Sequence, residues 1–219
     1  MPQTVRLAIF VVAALLAAGL FFLLFFYKPI RRYVWRKNVA RMFYTKVNRI
    51  NLDNDFFLLN DLLLKVGSED YFHIDHILGG LKYIYVITDC YYEGAVVPSA
   101  YGPAWTYYTV KERKEMISNP LLANRAALER LGIISGVNAS LMIGIVLVND
   151  DCFLAPYQNE RGFTQLVPLS KLTKTIEFYE NQNVAPLVQE ELRRIFVDLH
   201  ELNGRNHDRP AGSKCLRAQ

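Results

Sequence analysis

The stretch from Leu7 to Phe26 carries no charged or polar side chain. As a helix rising about 1.5 Å per residue it is about 30 Å long, the thickness of a bilayer's hydrocarbon core, so it predicts a transmembrane anchor. The rival reading is a cleaved signal peptide. Ala17, Ala18 and Gly19 are small enough for a cleavage site, but Phe21, Phe22, Leu23, Leu24, Phe25 and Phe26 follow and would form an apolar new terminus. Beyond the anchor the pattern changes. Arg31 to Val47 reads as a basic linker helix, and Asn51 to Asp55 as a turn. Phe57–Leu64 is a short strand candidate that Gly67-Ser68 breaks. Tyr71–Leu78 and Tyr83–Asp89, joined through Gly79-Gly80, read as a β-hairpin. Ala95-Val96-Val97 is a further strand candidate.

Helical spacing takes over at Asn119-Pro120. Asn119 is a good N-cap and Pro120 suits the first helical position. Leu121, Leu122, Ala126, Leu128 and Leu131 follow, and Gly132 is placed to end the helix. The continuous apolar run Leu141–Val148 predicts a central strand covered on both faces. Phe163–Pro168 predicts another strand. Leu169 to Tyr179 predicts a helix with Ser170 as its cap. A last helix is expected from near Asn183 to Gly204, since Val188, Leu192, Ile195, Leu199 and Leu202 recur at spacings of three and four. These elements predict an α/β fold, a mixed sheet flanked by helices. The expected organisation is an anchor over 1–28, a basic juxtamembrane linker over 29–50, an α/β domain over 51–203 and a disordered polar tail over 204–219.

Charge adds an orientation. Arg6 precedes the apolar run, whereas Lys28, Arg31, Arg32, Arg36, Lys37 and Arg41 follow it. The Lys/Arg-rich flank stays in the cytoplasm, which predicts a single-pass protein of the cell membrane with its N-terminus outside and its domain inside. Tyr27, Tyr33 and Trp35 fit the inner aromatic belt, and the basic cluster fits anionic lipid head groups better than nucleic acid. The net charge of +4 on 219 residues does not mark a polyanion binder. Cys90, Cys152 and Cys215 are an odd number without metal-finger spacing, in keeping with a reducing compartment.

The order of motifs carries a resemblance. Asn54-Asp55-Phe56-Phe57-Leu58-Leu59-Asn60-Asp61-Leu62 comes first, then His73-Ile74-Asp75-His76-Ile77 and Ile84-Tyr85-Val86-Ile87. Gly94 and Asn119-Pro120 with Asn124 follow. From about Asn54 to about Asn183 the chain resembles the nuclease-related domain (NERD) family. That family reads Gly-Glu-Ile-Asp-His-Ile on one strand and Phe-Val-Ile-Glu-Thr-Lys-Asn on the next. Its members are often bacterial, and some carry a transmembrane helix. The resemblance implies a restriction-endonuclease-like fold and phosphodiester hydrolysis. In such enzymes carboxylates on adjacent strands hold Mg²⁺ or Mn²⁺, the metal activates a water, and a lysine stabilises charge.

This sequence departs from that pattern where the chemistry sits. Asp75 matches the family's metal-binding Asp. The preceding Glu falls on His73, the second-strand Glu on Thr88, the Lys on Cys90 and the helix Gln on Ala123. Asp89 is the nearby carboxylate, but strand alternation points it away from Thr88 and Cys90. A bulge or one-residue slip would turn it inward for a role beside Asp75, yet Tyr91 would then stand where Lys is needed. Hydrolysis is therefore expected to be absent or very weak, with Asp75 kept as a structural residue, and no resident cofactor is expected. His73, Asp75 and Cys90 on one face also form a donor set suited to Zn²⁺. Against it, Cys90 reads as a small buried hydrophobe and His73 as a hydrogen-bonded strand residue.

Two further patches stand out. Lys111, Arg113 and Lys114 are candidate phosphate contacts, but Glu112 and Glu115 interleave, as on a solvated loop or helix face. Tyr91, Tyr92, Tyr101, Trp105, Tyr107 and Tyr108 crowd one segment, where rings can stack on bases, form a protein interface or simply pack a long loop over the sheet. Three roles follow: a tethered, catalytically degenerate module that binds nucleic acid or protein, an active tethered nuclease, and a subunit of a membrane protein assembly.

Overall fold

The computed structural model describes residues 3–67, 70–159 and 164–206. The chain divides into two compact units, Met1–Met42 and Phe43–Gln219. The first is dominated by helix α1 (Gln3–Lys37). Its window Phe10–Tyr27 is apolar enough to cross a membrane, and none of that window is buried inside the protein. Phe21 and Phe25, and Phe22 and Phe26, lie next to each other along the helix at ring separations of 4.4 and 4.9 Å, as side chains four apart do.

Helix α2 (Val39–Asn54) follows. Phe43, Val47 and Ile50 recur at spacings of four and three and are buried. The residues expected as a turn, Asn51 to Asp55, are mostly the end of this helix. The turn itself narrows to Asp55, which takes a left-handed φ of 53°.

The larger unit holds two mixed sheets flanked by helices. The first runs β1 (Phe57–Val66), β2 (Asp70–Gly79), β3 (Ile84–Cys90), β7 (Met142–Val148) and β9 (Gln165–Pro168). Strands β1, β2 and β3 are antiparallel neighbours, and β7 and β9 add in parallel. Helices α3 (Pro120–Ser135) and α5 (Gln189–Asn206) share one core with it, in which Ile74, Ile77, Ile84 and Val86 meet Ala127, Leu131, Leu192 and Phe196. A Cβ on Gly79 would run into the Phe196 ring, so this glycine lets α5 approach the sheet. On β3's other face, Tyr85 donates its hydroxyl to Glu180 at the end of α4 (Leu172–Glu180), at 2.7 Å.

The second sheet runs β6 (Lys114–Ser118), β5 (Ala104–Tyr108), β4 (Ala95–Val97) and β8 (Phe153–Leu154). Strands β5 and β6 correct the expectation of a long aromatic loop followed by a loop or helix face, while residues 111–116 are solvent-exposed as expected. Trp105, Tyr107 and Tyr92 are buried with Cys90, Val146 and Leu166 in a second core. Burying a ring such as Trp105, about 200 Å² at about 25 cal/mol per Å², contributes about 5 kcal/mol before entropy is counted. That is why these aromatics build a sheet here.

Other boundaries moved for identifiable reasons. Helix α3 is capped as expected, Asn119 Oδ1 accepting the Leu121 N–H at 2.9 Å, but it runs past Gly132 to Ser135. It ends at Gly136, whose φ of 67° costs glycine nothing. Ser170 caps no helix. It lies in a short 3₁₀ turn, Leu169–Lys171, and its N–H donates to Asp150. Helix α5 starts at Gln189 rather than near Asn183. Pro186 disfavours helix in the residue before it, and the Leu187 N–H is taken by the Leu81 carbonyl at 2.7 Å. Gly204 lies inside α5, which reaches Asn206. Phe163, Cys215 and the tail from 207 fall outside the described residues.

Candidate functional site

The site forms where β2 and β3 part. Their ladder runs from Gly79–Ile84 to His76–Ile87 and stops. The next residues on each strand are Asp75 and Thr88. Past the fork, Asp75 Oδ2 accepts the backbone N–H of Asp89 at 2.9 Å. The carboxylate thus satisfies a donor that the interrupted ladder leaves on β3.

Strand β1 is irregular at the same level. Asp61 has φ 53°, left-handed and uncommon for a non-glycine residue inside a strand, and the β1–β2 pairing skips it. Leu59 and Leu62 consequently both face the core, as do Ile74 and Ile77 on β2. Asn203 of α5 holds the kink, accepting the Leu63 N–H at 2.8 Å and donating to the Asp61 carbonyl at 3.4 Å.

Two polar networks follow. Thr88 leads toward α3. The Asn124 side-chain amide donates to Thr88 Oγ1 at 2.9 Å and to the Val86 carbonyl at 3.0 Å, while Thr164 donates to Asn124 Oδ1 at 3.2 Å. Gly144 makes room for this knot, since a Cβ there would overlap both Asn124 Oδ1 and Thr164 Oγ1. Asp89 leads the other way. Its Oδ2 lies 2.9 Å from His76 Nε2, and His76 Nδ1 lies 2.7 Å from Asn60 Oδ1. Both ring nitrogens face acceptors, an arrangement that the imidazolium satisfies. Asp89 Oδ1 is buried without a hydrogen-bond partner among the described residues.

The electrostatics agree with that geometry. Burial, the largest influence on His76, pushes its pKa down. The hydrogen bond to Asp89 and the charges of Asp89, Asp75 and Asp61 together outweigh it, and the net shift is upward from 6.5. Burial pushes Asp89 up to about 6 against the hydrogen bond from His76, with Asp75 adding like-charge repulsion. Nearer the surface, His73 Nε2 lies 2.7 Å from Asp61 Oδ1 and its Nδ1 3.7 Å from Asp75 Oδ1.

The candidate residues from the sequence are therefore only partly brought together. His73, Asp75 and Asp89 meet at the fork. Cys90 is buried among Leu121, Val146 and Val148 instead, and Ala123 is on the exposed side of α3. Lys111 and Arg113 sit in the exposed turn between β5 and β6, and Lys114 begins β6. Among the described residues no group of three His, Cys, Asp or Glu side chains is placed to hold a metal ion, so His73, Asp75 and Cys90 do not assemble the zinc donor set. Mg²⁺ or Mn²⁺ fits no better. Thr88, which accepts the Asn124 amide, brings no charge to such an ion, and Asp75 Oδ2 accepts a backbone N–H.

Asn124, His76, Asn60 and Thr164 carry the site's hydrogen bonds and were not singled out as site residues by sequence reasoning. One signal was available for Asn124, which interrupts the otherwise apolar stripe of Leu121, Ala127 and Leu131 on α3.

Compared with known proteins, residues 36–148 match the nuclease-related domain (NERD) family. The chain belongs to this family. No curated protein matches the sequence. One solved structure similar to this chain is titled "Crystal Structure of Protein of Unknown Function AF1548". It shares 12% identity, covers 75% of this chain and 95% of its own, and superposes with a TM-score of 0.34. The NERD match spans strands β1 to β7, including β2 and β3 that part at the fork, and all of α2 and α3.

Proposed function

We propose that this NERD protein is a membrane-anchored, catalytically degenerate member of its family, acting as a binding module for nucleic acid or protein. In this reading the apolar part of α1 spans the cell membrane, with the N-terminus outside and a restriction-endonuclease-like domain in the cytoplasm. The observation that carries the reading is the neutral knot of Thr88, Asn124 and Thr164 at the position of the family's second carboxylate. A neutral hydroxyl bound to an amide offers a divalent cation little, and Cys90, at the position of the catalytic lysine, is buried without positive charge.

The test is cleavage by the detergent-solubilised full chain of labelled DNA and RNA, with Mg²⁺ and with Mn²⁺. No cleavage above buffer is expected. Metal-dependent cleavage that disappears in Asp75→Ala overturns the reading in favour of an active tethered nuclease. Binding is read separately, by retention of the same oligonucleotides at rising salt, because phosphate contacts weaken steeply as salt increases. Co-purification of other membrane proteins in mild detergent, lost when α1 is exchanged for another anchor, would instead mark a subunit of a membrane assembly.

A further inference from the structure

The second sheet has one face in the core and one face bare. Register assigns the sides. Val97 pairs with Thr106, which pairs with Met116. Ala95 pairs with Tyr108 and with Phe153, and Tyr108 pairs with Lys114. Paired residues share a face, so Val97, Met116, Tyr108, Phe153 and Lys114 all stand outward. Met116 is 64% exposed and Phe153 68%. The opposite face carries Val96, Trp105 and Tyr107 into the core.

This bare face is bordered by charge at one end. The turn between β5 and β6 closes through the Glu112 N–H to Thr109 carbonyl bond at 2.9 Å, with Glu112 left-handed at φ 60°. Lys111 and Arg113 project from this exposed turn together with Val110, which is itself 68% exposed. Glu115 pairs with Tyr107 and so belongs to the other side of the sheet, leaving Lys114 as the charged residue of the outer face itself. Glu112 is the acidic residue of the turn itself, between Lys111 and Arg113.

We infer that the outer face of this sheet lies on the anionic surface of a bilayer, Val97, Met116 and Phe153 entering the head-group boundary while Lys111, Arg113 and Lys114 meet lipid phosphates. Aromatic, methionine and valine side chains beside Lys and Arg match that boundary, where apolar groups sit below and cations meet anionic head groups. The inference rests on the anchoring reading above. A domain tethered to a bilayer meets that surface at high effective concentration, so a modest patch suffices.

The test uses the full chain carrying Cys215→Ser, reconstituted into vesicles. Cys90 is buried and the burial of Cys152 pushes its thiol up to about 12, so an added cysteine takes an environment-sensitive dye selectively. The dye is placed through Met116→Cys on the bare face and, as a control, through Ile133→Cys on the exposed side of α3. In equimolar phosphatidylserine and phosphatidylcholine, the dye at 116 is expected to shift blue and to be quenched by brominated acyl chains, while the dye at 133 stays in water. Quenching at 116 is expected to fall several-fold in phosphatidylcholine alone and in the K111E/R113E/K114E variant. A dye at 116 that stays in water in anionic vesicles overturns the proposal. So does a blue shift already present in detergent with energy transfer between copies, which assigns the face to a second chain. A blue shift driven by added DNA or RNA rather than lipid overturns it too. Flotation after an alkaline wash separates the two readings. A chain that floats with an unquenched dye removes only the docking, and a chain that does not float removes the anchor and the docking together.

Discussion

Thr88 and Asp89 are consecutive residues of β3, and they open onto two different kinds of polar chemistry. On the Thr88 side every partner is neutral and the knot with Asn124 and Thr164 is closed. On the Asp89 side the partners are ionisable, and one buried carboxylate oxygen has no hydrogen bond among the described residues. A divalent cation needs charge and free oxygens in one place. Here Asp75 and Asp89 bring negative charge and a free oxygen to one side of the strand, while the Thr88 side brings neutral groups alone. The lesson is that neighbouring residues of one strand can serve two separate polar networks, one neutral and one charged.

The sharpest way to break the comparison is to empty the charged side. His76→Ala leaves Asp89 buried without its partner and is expected to destabilise the domain by about 3 kcal/mol near neutral pH. Asp89→Asn removes the charge while keeping the shape and is expected to cost under about 1 kcal/mol. Urea unfolding of the detergent-solubilised chain, followed by tryptophan fluorescence, measures both. The double variant should recover most of the His76→Ala loss. If it is no better than the single variant, the pair is not an interacting unit.

On the neutral side the damage should be smaller and independent of pH. Asn124→Ala strips a donor from the buried Val86 carbonyl and from Thr88, and is expected to cost about 2 kcal/mol. The loss should be the same at pH 5 and pH 8. A loss that differs between those two pH values would mean that the two networks are electrostatically coupled.

Titration contrasts the sides directly. Asp89 has a folded pKa of about 6 against 3.8 when free, so folding favours its protonated form. The stability this gives is complete below 3.8 and is lost as pH rises through about 6. His76 is also raised, from 6.5, so its contribution is present below 6.5 and is lost as pH rises through its folded value. Both groups act in the same direction. The thermal midpoint should drop by about 5 °C from pH 4 to neutrality and keep falling above it. In the His76→Gln/Asp89→Asn double variant that slope should flatten, and an unchanged slope would place the titration elsewhere.

Much of this was legible in the chain. The apolar run of α1, the Gly79-Gly80 hairpin, the Asn119-Pro120 cap and the β7 run are local signals, and local signals survive folding. The misses were non-local. Strand β5 is aromatic while β6 has no aromatic residue, so no shared local signal marked their pairing, and Gly132 looked like a helix stop because Gly136 was not weighed against it. The most instructive miss is at Asp61. Period-two alternation assigns sides to His73, Asp75 and His76 only if both strands stay regular. A left-handed Asp61 lets Leu59 and Leu62 share a core and leaves Asp75 and His76 between two core residues, Ile74 and Ile77. No run of residue types announces such a kink, since its stabilising partners, His73 and Asn203, are distant in sequence.

Asp75 is where the smallest effect decides the most. A carboxylate kept for a metal is repelled by its neighbours when the metal is absent, and replacing it with alanine relieves that repulsion and stabilises the protein. A carboxylate kept for a backbone N–H behaves oppositely. Here Asp75 Oδ2 accepts from Asp89 N–H, so Asp75→Ala is expected to cost about 1 kcal/mol. Asp75→Asn, which retains one acceptor oxygen, should cost less than half of that. Because the Asp75 charge also raises Asp89 and His76, either substitution should lower the pH at which the stability falls. Stabilisation by Asp75→Ala would instead mark a residue still arranged for a cation, and the charged side of β3 would then be the remnant of a working site.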